Sequence, residues 1–291
     1  MKQVVKRLLE NVLGLDIAKP MMAVRPDDTF IVSYPRSGNT WVRFLVANLL
    51  HPQVPVTFDN IEQLIPDAEA QSKRYLRGVP SPRTIKSHSY FDPRYPRVIY
   101  IVRDPRDVAL SYYDLSRKYR LIEDSYPLER YIGDFVNGRL IPPGRGTWGE
   151  NVASWVFARG ARPGFLLLQY EDITARPERE LTKLASFFGI AASPELLQAA
   201  LDRSSATRMR EMERTQGKNW ISTRNKRDDI PFIGAALVGE WKRKLRPEWV
   251  AEIEAAWGRI MVQLGYELVT RKAESAEIPL AAKTVLGERR G

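Results

Sequence analysis

The fold is decided by Thr29-Phe-Ile-Val-Ser-Tyr-Pro-Arg-Ser-Gly-Asn-Thr-Trp41, which runs directly into the apolar residues 42–50. Its first half is β-branched and aromatic and predicts a short buried strand, while the Pro/Ser/Gly segment predicts a loop that opens a helix. Backbone N–H groups at such a helix start are unpaired and lie at the positive end of the helix dipole. Arg36 adds a fixed charge. The stretch therefore predicts a loop that binds a phosphate or sulfate group.

The composition is typical of a folded domain. The chain has 291 residues, of which 44% are hydrophobic and 27% charged, and this length is sufficient to bury a sizeable core. No window approaches the run of about 18 apolar residues that a membrane span requires. We expect an N-terminal helical extension over residues 1–28, a main domain over 29–269 and a C-terminal tail over 270–291.

The charge and the cysteine count restrict the function classes. No cysteine is present, which excludes disulfides, thiolate zinc sites and a cysteine nucleophile, and fits a reducing compartment. The net charge of +10 favours an anionic partner, such as a nucleic acid, a charged nucleotide or an acidic acceptor. Charge alone does not choose among these partners.

Strand-like and helical patterns alternate along the chain. Short apolar runs bounded by turn residues predict strands over 29–34, 83–87, 97–103 and 165–170. Helical periodicity predicts helices over 40–50, 107–119, 126–137, 148–159, 177–188 and 247–264. This alternation predicts one α/β domain with a central parallel sheet flanked by helices. Residues 137–147 and 215–239 are predicted to be loops that cover a ligand, because they are long or rich in Gly and Pro.

The first loop differs from a Walker A motif. It has a single glycine and lacks the G-x-x-x-x-G-K-[ST] spacing. In addition, no acidic residue follows a later predicted strand in a position to hold magnesium. We therefore predict a phosphate loop without a metal partner.

A second group of polar residues ends the predicted strand 83–87. Lys86 and His88 are two residues apart, so in a strand their side chains lie on one face. A histidine accepts a proton from a hydroxyl near neutral pH, and a neighbouring cation stabilises charge on a transferring group. Taken alone, His88 has a structural interpretation; beside the anion loop, a catalytic role is favoured. His51 follows a helix end and is interpreted as a cap.

The third group follows the predicted strand 97–103. Arg103 lies at the carboxyl end of this strand, where open α/β sheets place ligands. Asp104 suits a helix N-cap, and Ser111, two turns later, could face Arg103. The alternative is a cluster of surface ion pairs made by Arg103, Asp104, Arg106 and Asp107.

Together these segments resemble the cytosolic-type sulfotransferases, in family order over residues 29–244. The resemblance implies a P-loop NTPase-like sulfotransferase fold and a cytoplasmic location. It also implies metal-independent transfer of a sulfuryl group from 3′-phosphoadenosine 5′-phosphosulfate (PAPS) to an acceptor hydroxyl or amine, by in-line displacement. Arg36 falls where the family has a catalytic lysine or arginine, and Lys86-Ser-His88 is similar to the strand with the catalytic lysine and the general-base histidine. Because arginine keeps its proton, Arg36 is expected to stabilise charge.

The resemblance also implies a set of cofactor-binding residues. Arg103 and Ser111 match the pair that binds the 3′-phosphate. Trp41 and Tyr170 match aromatic contacts to adenine, and Tyr170 is expected to lie on a strand. The remaining implied contacts are Arg36, Ser37, Gly38, Asn39 and Thr40 in the 5′-phosphosulfate loop, and Ser204 and Gly239 further along the chain.

One family motif is only partly present. Gly239-Glu-Trp-Lys242 keeps its end, but Gly234-Ala-Ala236 stands where the family has Arg-Lys-Gly. Loss of a charged phosphate contact costs about 1.5–3 kcal/mol. Arg224, Lys226 and Arg227 are candidates for compensation.

Two other functions stay open from the residues alone. A metal-free P-loop-like kinase is the nearest enzyme, and a nucleic-acid-binding protein is suggested by the basic residues 208–226 with Trp220. The resemblance implies instead a small-molecule, glycan or peptide acceptor and no nucleic acid, and it leaves a homodimer open. The candidate aromatic residues of an acceptor pocket, for which core packing is the alternative, are Tyr90, Phe91, Tyr112, Tyr113, Trp148 and Phe232.

Overall fold

A parallel sheet forms the centre of the structure, a computed structural model that describes residues 22–270 apart from 143 and 235. The strands are β1 (Thr29–Ser33), β2 (Thr84–Ser87), β3 (Arg97–Val102) and β4 (Phe165–Gln169). All pairs are parallel, in the order β2-β1-β3-β4. The predicted strands are therefore confirmed, each with an end shifted by one residue at most.

Helices cover both faces of this sheet. In the described part of the chain they are α1 (Asn39–Leu50), α2 (Ile61–Leu64), α3 (Lys73–Gly78), α4 (Pro105–Lys118), α5 (Leu128–Val136), α6 (Trp148–Arg159), α7 (Tyr170–Ala175), α8 (Pro177–Phe188), α9 (Pro194–Arg203), α10 (Ala206–Gln216), α11 (Trp241–Lys244) and α12 (Pro247–Gln263). The predicted α/β domain with a central parallel sheet is thus confirmed.

Most of the helices that the sequence did not predict are short, and one longer helix, α10, is mostly polar. For example, α10 buries only Met209, so its sequence carries almost no amphipathic pattern. Such helices are stabilised by tertiary packing more than by their own sequence. The helical periodicity also placed the start of α4 two residues too late, whereas the expected N-cap at Asp104 is confirmed: its side chain accepts from the N–H of Arg106, and Pro105 occupies the first turn.

The sheet separates two apolar cores. On β3, alternate side chains face opposite sides: Val98 and Tyr100 pack in one core, and Ile99 and Ile101 in the other. All four strands are parallel, so their carboxyl ends meet at one edge of the sheet. The loop after β1, His88 after β2, Arg103 after β3 and the start of α7 after β4 are therefore neighbours.

Parts of the predicted domain organisation cannot be compared with the structure. Residues 1–21 and 271–291 lie outside the described residues, and residues 22–28, the described part of the predicted N-terminal extension, contain no helix. In the range 22–270, none of the helices has the length and apolarity needed to cross a bilayer.

Candidate active site

A cavity of about 590 Å³ opens at the carboxyl edge of the sheet. Most of the residues that the sequence singled out line it. These are Arg36, Gly38, Asn39, Thr40, Trp41, Lys86, His88, Arg103, Ser111 and Tyr170. The structure thus brings the three sequence segments to one site.

Three of the expected cofactor residues do not line the cavity. Ser204 is fully buried at the end of α9, where its hydroxyl accepts from Asn48 at 3.1 Å. Gly239 uses its N–H to bond Asp107 at 2.7 Å. Ser37 is also fully buried, and its hydroxyl has no hydrogen-bond partner among the described residues. Cofactor contacts by these residues stay predictions.

The turn before α1 depends on Gly38. This residue has a φ of +97°, and a Cβ there would lie 2.5 Å from the ring of Tyr170. Glycine alone fits both requirements without strain. Tyr170 is the first residue of α7, so its expected place on a strand was wrong. Its ring meets Trp41 edge to face at 5.8 Å, and the guanidinium of Arg103 lies 4.4 Å from its centroid.

Two arginines form the most positive part of the cavity. Arg103 donates to the backbone oxygens of Arg36 and Leu237 at 3.2 and 3.0 Å. Arg36 donates from its two Nη atoms to the backbone oxygen of Phe232 at 3.1 Å. Neither guanidinium forms an ion pair with any described residue, and burial, followed by the charge of Arg103, lowers the pKa of Arg36. An anion is the natural partner of two such charges.

Ser111 was expected to face Arg103, but it bonds the other arginine. Its hydroxyl accepts from the Nε of Arg36 at 2.9 Å. The Nε of Arg103 is buried without a hydrogen-bond partner among the described residues.

His88 has a defined tautomer. Its Nδ1 lies 2.8 Å from the backbone oxygen of Ser33. Since a carbonyl oxygen only accepts, Nδ1 carries the proton and Nε2 keeps its lone pair. Burial, followed by the charges of Lys86 and Arg145, holds the pKa of His88 well below its ordinary value. The imidazole is therefore neutral near pH 7.

Lys86 lines the cavity but is bound to two carboxylates. Its Nζ lies 2.8 Å from Asp67 and 3.1 Å from Glu69. Glu69 also accepts from the N–H of His88 at 2.6 Å and from the hydroxyl of Ser87 at 2.9 Å. Burial raises the pKa of Glu69, but the charge of Lys86, a hydrogen bond with Asp67, the charge of Arg145 and the N–H of His88 hold it well below its ordinary value. Glu69 thus fastens the end of β2.

The alternative of a surface ion-pair cluster after β3 holds for part of the segment. Arg106 binds Asp104 and Glu254, each at 2.6 Å, and all three side chains are buried rather than on the surface. Asp107 accepts from the N–H groups of Gly239 and Trp241. Arg103 stays apart from these pairs and faces the cavity.

The three residues expected to compensate for the missing charges at residues 234–236 have different surroundings. Arg227 is engaged by Asp124 and Asp229 on the surface. Arg224 is exposed and does not line the cavity, whereas Lys226 does and lies 4.7 Å from the ring centroid of Tyr119. Lys226 alone of the three is in reach of a bound ligand.

Sequence reasoning missed several cavity residues and overestimated others. The missed ones include Asp67, Glu69, Asp114, Tyr119, Arg145 and Lys244. Only Arg145 had a local signal, since it belongs to the Gly/Pro-rich segment 137–147. Of the candidate acceptor aromatics, Phe232 lines the cavity, while Trp148 and Tyr112 pack in a core.

Two further observations bear on the open alternatives. Trp220, which supported nucleic-acid binding, is only 3% exposed and packs between Phe58 and Phe232, so it is not available for stacking on a base. Among the residues described, no group of three or more His, Cys, Asp or Glu is arranged to hold a metal ion.

A cationic cavity at the carboxyl edge of a parallel sheet, with a neutral histidine, defines the class of group-transfer enzymes that act on an anionic donor. A family model described as a sulfotransferase domain matches residues 26–265. This range is most of the chain, so the chain belongs to the sulfotransferase family and is a sulfotransferase. The resemblance drawn from its motifs is confirmed.

Relatives and solved structures agree with this assignment. Sulfotransferase 1B1 of Canis lupus familiaris is 29% identical over 234 residues, which are 75% of this chain and 78% of that protein. The 3-beta-hydroxysteroid sulfotransferase of Cavia porcellus is 29% identical over 233 residues, with the same two shares.

The fold is similar to retinol dehydratase in complex with androsterone and the inactive cofactor PAP, with a TM-score of 0.68 and 22% identity over 89% of this chain and 84% of that one. It is also similar to mouse sulfotransferase SULT7A1 complexed with PAP, with a TM-score of 0.65 and 19% identity over 91% and 90%. These likenesses show that the sheet and its helices form the sulfotransferase fold.

Proposed function

We propose that this enzyme transfers a sulfuryl group from PAPS to an acceptor hydroxyl or amine, with His88 as the general base. The observation that carries the proposal is the bond between His88 Nδ1 and the backbone oxygen of Ser33, which leaves the Nε2 lone pair for an acceptor proton. The same cavity holds the guanidinium groups of Arg36 and Arg103, which form no ion pair with a described residue. A base and an anion site in one cavity are what an in-line displacement requires.

The residues present fit a donor with anionic groups at both ends. Arg36 and the N–H groups of the first turn of α1 would hold the phosphosulfate, and Arg103 with Ser111 would hold the 3′-phosphate. Trp41 and Tyr170 would contact the adenine. The buried Nε of Arg103 supports this fit, since Arg103 lines the cavity and this atom has no hydrogen-bond partner among the described residues. That both structural neighbours were crystallised with PAP is consistent with this donor.

The chain's own groups then account for the chemistry. The donor supplies the sulfuryl group, and its phosphate oxygen takes the electrons of the broken S–O bond. His88 Nε2 receives the acceptor proton while the acceptor oxygen bonds to sulfur. Arg36 offsets the charge that develops on the leaving oxygen and keeps its own proton. Lys86 stabilises the charge on the transferring oxygens when its ammonium group contacts the substrate as well as Asp67 and Glu69.

The function is tested by offering radiolabelled donor with a panel of hydroxylated acceptors and measuring the mass of the product. The mass of the product is expected to exceed that of its acceptor by one sulfuryl group. ATP is offered in parallel, because phosphorylated product would support the kinase and contradict this proposal. A salt-dependent shift with nucleic acid would support the third function.

We further propose that Lys226 compensates for the missing charges at residues 234–236. Its position in the cavity supports this role, while Arg227 is held by Asp124 and Asp229. The variant Lys226→Ala is expected to raise the dissociation constant of PAP about 10-fold, and Arg227→Ala is the control. An unchanged constant after alanine replaces Arg224, Lys226 and Arg227 together would show that compensation is wrong.

A further inference from the structure

Arg145 lies in a loop that is fastened beside the strand end carrying His88. The N–H of Tyr90, two residues after His88, donates to the backbone oxygen of Gly144 at 3.1 Å. The amide of Asn151 donates to the backbone oxygen of Arg145 at 2.8 Å. The backbone of Arg145 is therefore held near the base by bonds on both sides, and not only by the loop itself.

The side chain of Arg145 faces the same cavity as His88 and Lys86. It forms no ion pair with any residue in the described part of the chain. Each cation of the cavity contacts a protein group: Arg36 and Arg103 contact backbone oxygens, Arg43 contacts Glu62, Lys86 contacts Asp67 and Glu69, Lys226 contacts the ring of Tyr119, Lys244 contacts Glu240, and Arg145 contacts the phenol of Tyr112. Arg145 is thus a cation beside the base whose charge no carboxylate of the described chain neutralises by contact.

The surroundings of Arg145 favour an anion over a neutral or cationic group. Burial and the charge of Lys86 lower the pKa of His88, and the charge of Arg145 lowers it further. Burial raises the pKa of the Tyr112 phenol, while the charge of Arg145 and its hydrogen bond to this phenol act to lower it. The two nearby carboxylates, Asp67 and Glu69, both contact Lys86, and neither forms an ion pair with Arg145, although the charge of Arg145 helps to lower the pKa of Glu69. A guanidinium presents a planar pair of donors that fits an oxyanion in two-point contact.

We propose that Arg145 binds an oxyanion of the acceptor, so that acceptors of this enzyme carry a carboxylate, phosphate or sulfate group near the hydroxyl that is modified. This inference rests on the proposed sulfuryl transfer at His88. A preference for anionic acceptors distinguishes this enzyme from one that acts on uncharged aromatic alcohols. An apolar acceptor packed against Arg145 would leave the charge of the guanidinium buried without an anionic partner.

Three phenols of similar shape test the charge preference: 4-hydroxyphenylacetate, 4-hydroxyphenylacetamide and tyramine. Their dissociation constants are measured by calorimetry with PAP present, so that binding is read without turnover. The acetate is expected to bind about 10- to 100-fold more tightly than the amide, and tyramine more weakly still. A further arm with 4-hydroxybenzenesulfonate distinguishes a site for carboxylates from one for sulfo groups.

Arg145→Gln is expected to bring the acetate and the amide within about twofold of each other, and Arg145→Lys to keep part of the preference. Arg139→Gln is the matched control, because Arg139 lies in the same loop, pairs with Asp134 and does not line the cavity. Circular dichroism melts verify that each variant folds.

The proposal is overturned if the acetate does not bind, if it binds no better than the amide, if tyramine binds best, or if the preference survives Arg145→Gln. Product mass is measured separately. A charge preference that depends on Arg145 without any sulfated product would uphold the anion site and contradict the sulfuryl transfer instead.

Discussion

His88 Nδ1 lies 2.8 Å from the backbone oxygen of Ser33, the last residue of the neighbouring strand. This bond joins the ends of two adjacent parallel strands. It uses the Nδ1 atom of the ring and leaves the Nε2 atom for another partner. The same strand end leads into the anion loop. The proposed base and the proposed donor site are therefore held by one pair of hydrogen-bonded strands.

Replacement of His88 by alanine is expected to lower kcat by about 10²- to 10⁴-fold, because the acceptor proton loses its acceptor. The dissociation constant of PAP is expected to change by less than about twofold, since the loop and the arginines that hold it are untouched. Rapid-quench kinetics and calorimetry measure the two quantities. His51→Ala, the chain's other histidine, is the control; weakened donor binding with normal turnover would contradict the role.

The pH dependence of kcat/KM follows from the direction of the His88 pKa. Because burial and the charges of Lys86 and Arg145 hold this pKa well below its ordinary value, the base is unprotonated at neutral pH. Activity is therefore expected to stay level as the pH falls to about 6.5 and to decline only at lower pH. A profile from pH 5 to 9 checks this; an acid limb with its midpoint above 6.5 would be incompatible.

Arg103→Ala is expected to weaken donor binding more than catalysis. Loss of a charged phosphate contact raises the dissociation constant of PAP by about 10- to 100-fold. At saturating donor, kcat is expected to stay within about threefold, since Arg103 is assigned to the 3′ end and not to the transferring group. Arg117→Ala removes a cation from α4, the helix that follows Arg103, outside the cavity, and serves as the control. Equal effects of the two variants would refute the assignment.

Gly38→Ala is expected to lower the free energy of unfolding by about 2–4 kcal/mol, because the new Cβ meets the ring of Tyr170 in a left-handed backbone conformation. Urea denaturation measures this loss. Gly78→Ala is the matched control, since a Cβ there meets nothing within 4 Å. If the two variants are equally stable, the close approach of Tyr170 to the loop does not exist in solution.

The pKa of Glu171 gives a prediction for the pH dependence of stability. Burial raises the pKa of Glu171 to about 7, although it accepts from the N–H of Asp104 and the hydroxyl of Tyr266. The folded protein therefore holds this proton more tightly than the unfolded chain does. The resulting stabilisation is complete below about pH 4.5 and is lost as the pH rises through about 7, with a total of at most about 3 kcal/mol.

The variant Glu171→Gln is expected to remove the loss of stability that Glu171 causes as the pH rises. The amide is neutral, and it can still accept from Asp104 and donate to Tyr266. Unfolding free energies at pH 5, 7 and 9 are compared with those of wild type and of Glu123→Gln, an exposed control. A wild-type minus Glu171→Gln difference that does not change with pH would refute the raised pKa.

Most of the catalytic framework was predictable because it is local. The segment Thr29–Trp41 combines a strand pattern, a turn and a helix start within a few residues, and Lys86, His88 and Arg103 follow their strands directly. Once the strands are parallel, their carboxyl ends share an edge. The short helices α2, α3 and α11 were not predicted, since four to six residues carry too little periodicity to be recognised.

By itself, the sequence determined the strand–loop–helix units, the family and the groups that end each strand, because propensity, turn chemistry and spacing act over neighbouring residues. Only the tertiary structure decided that Glu69 holds the end of β2, that Ser111 bonds Arg36, 75 residues away, and that Arg145 lies beside the base. Such contacts depend on how helices and loops pack across the sheet, and that packing is set by the whole core and not by any one segment.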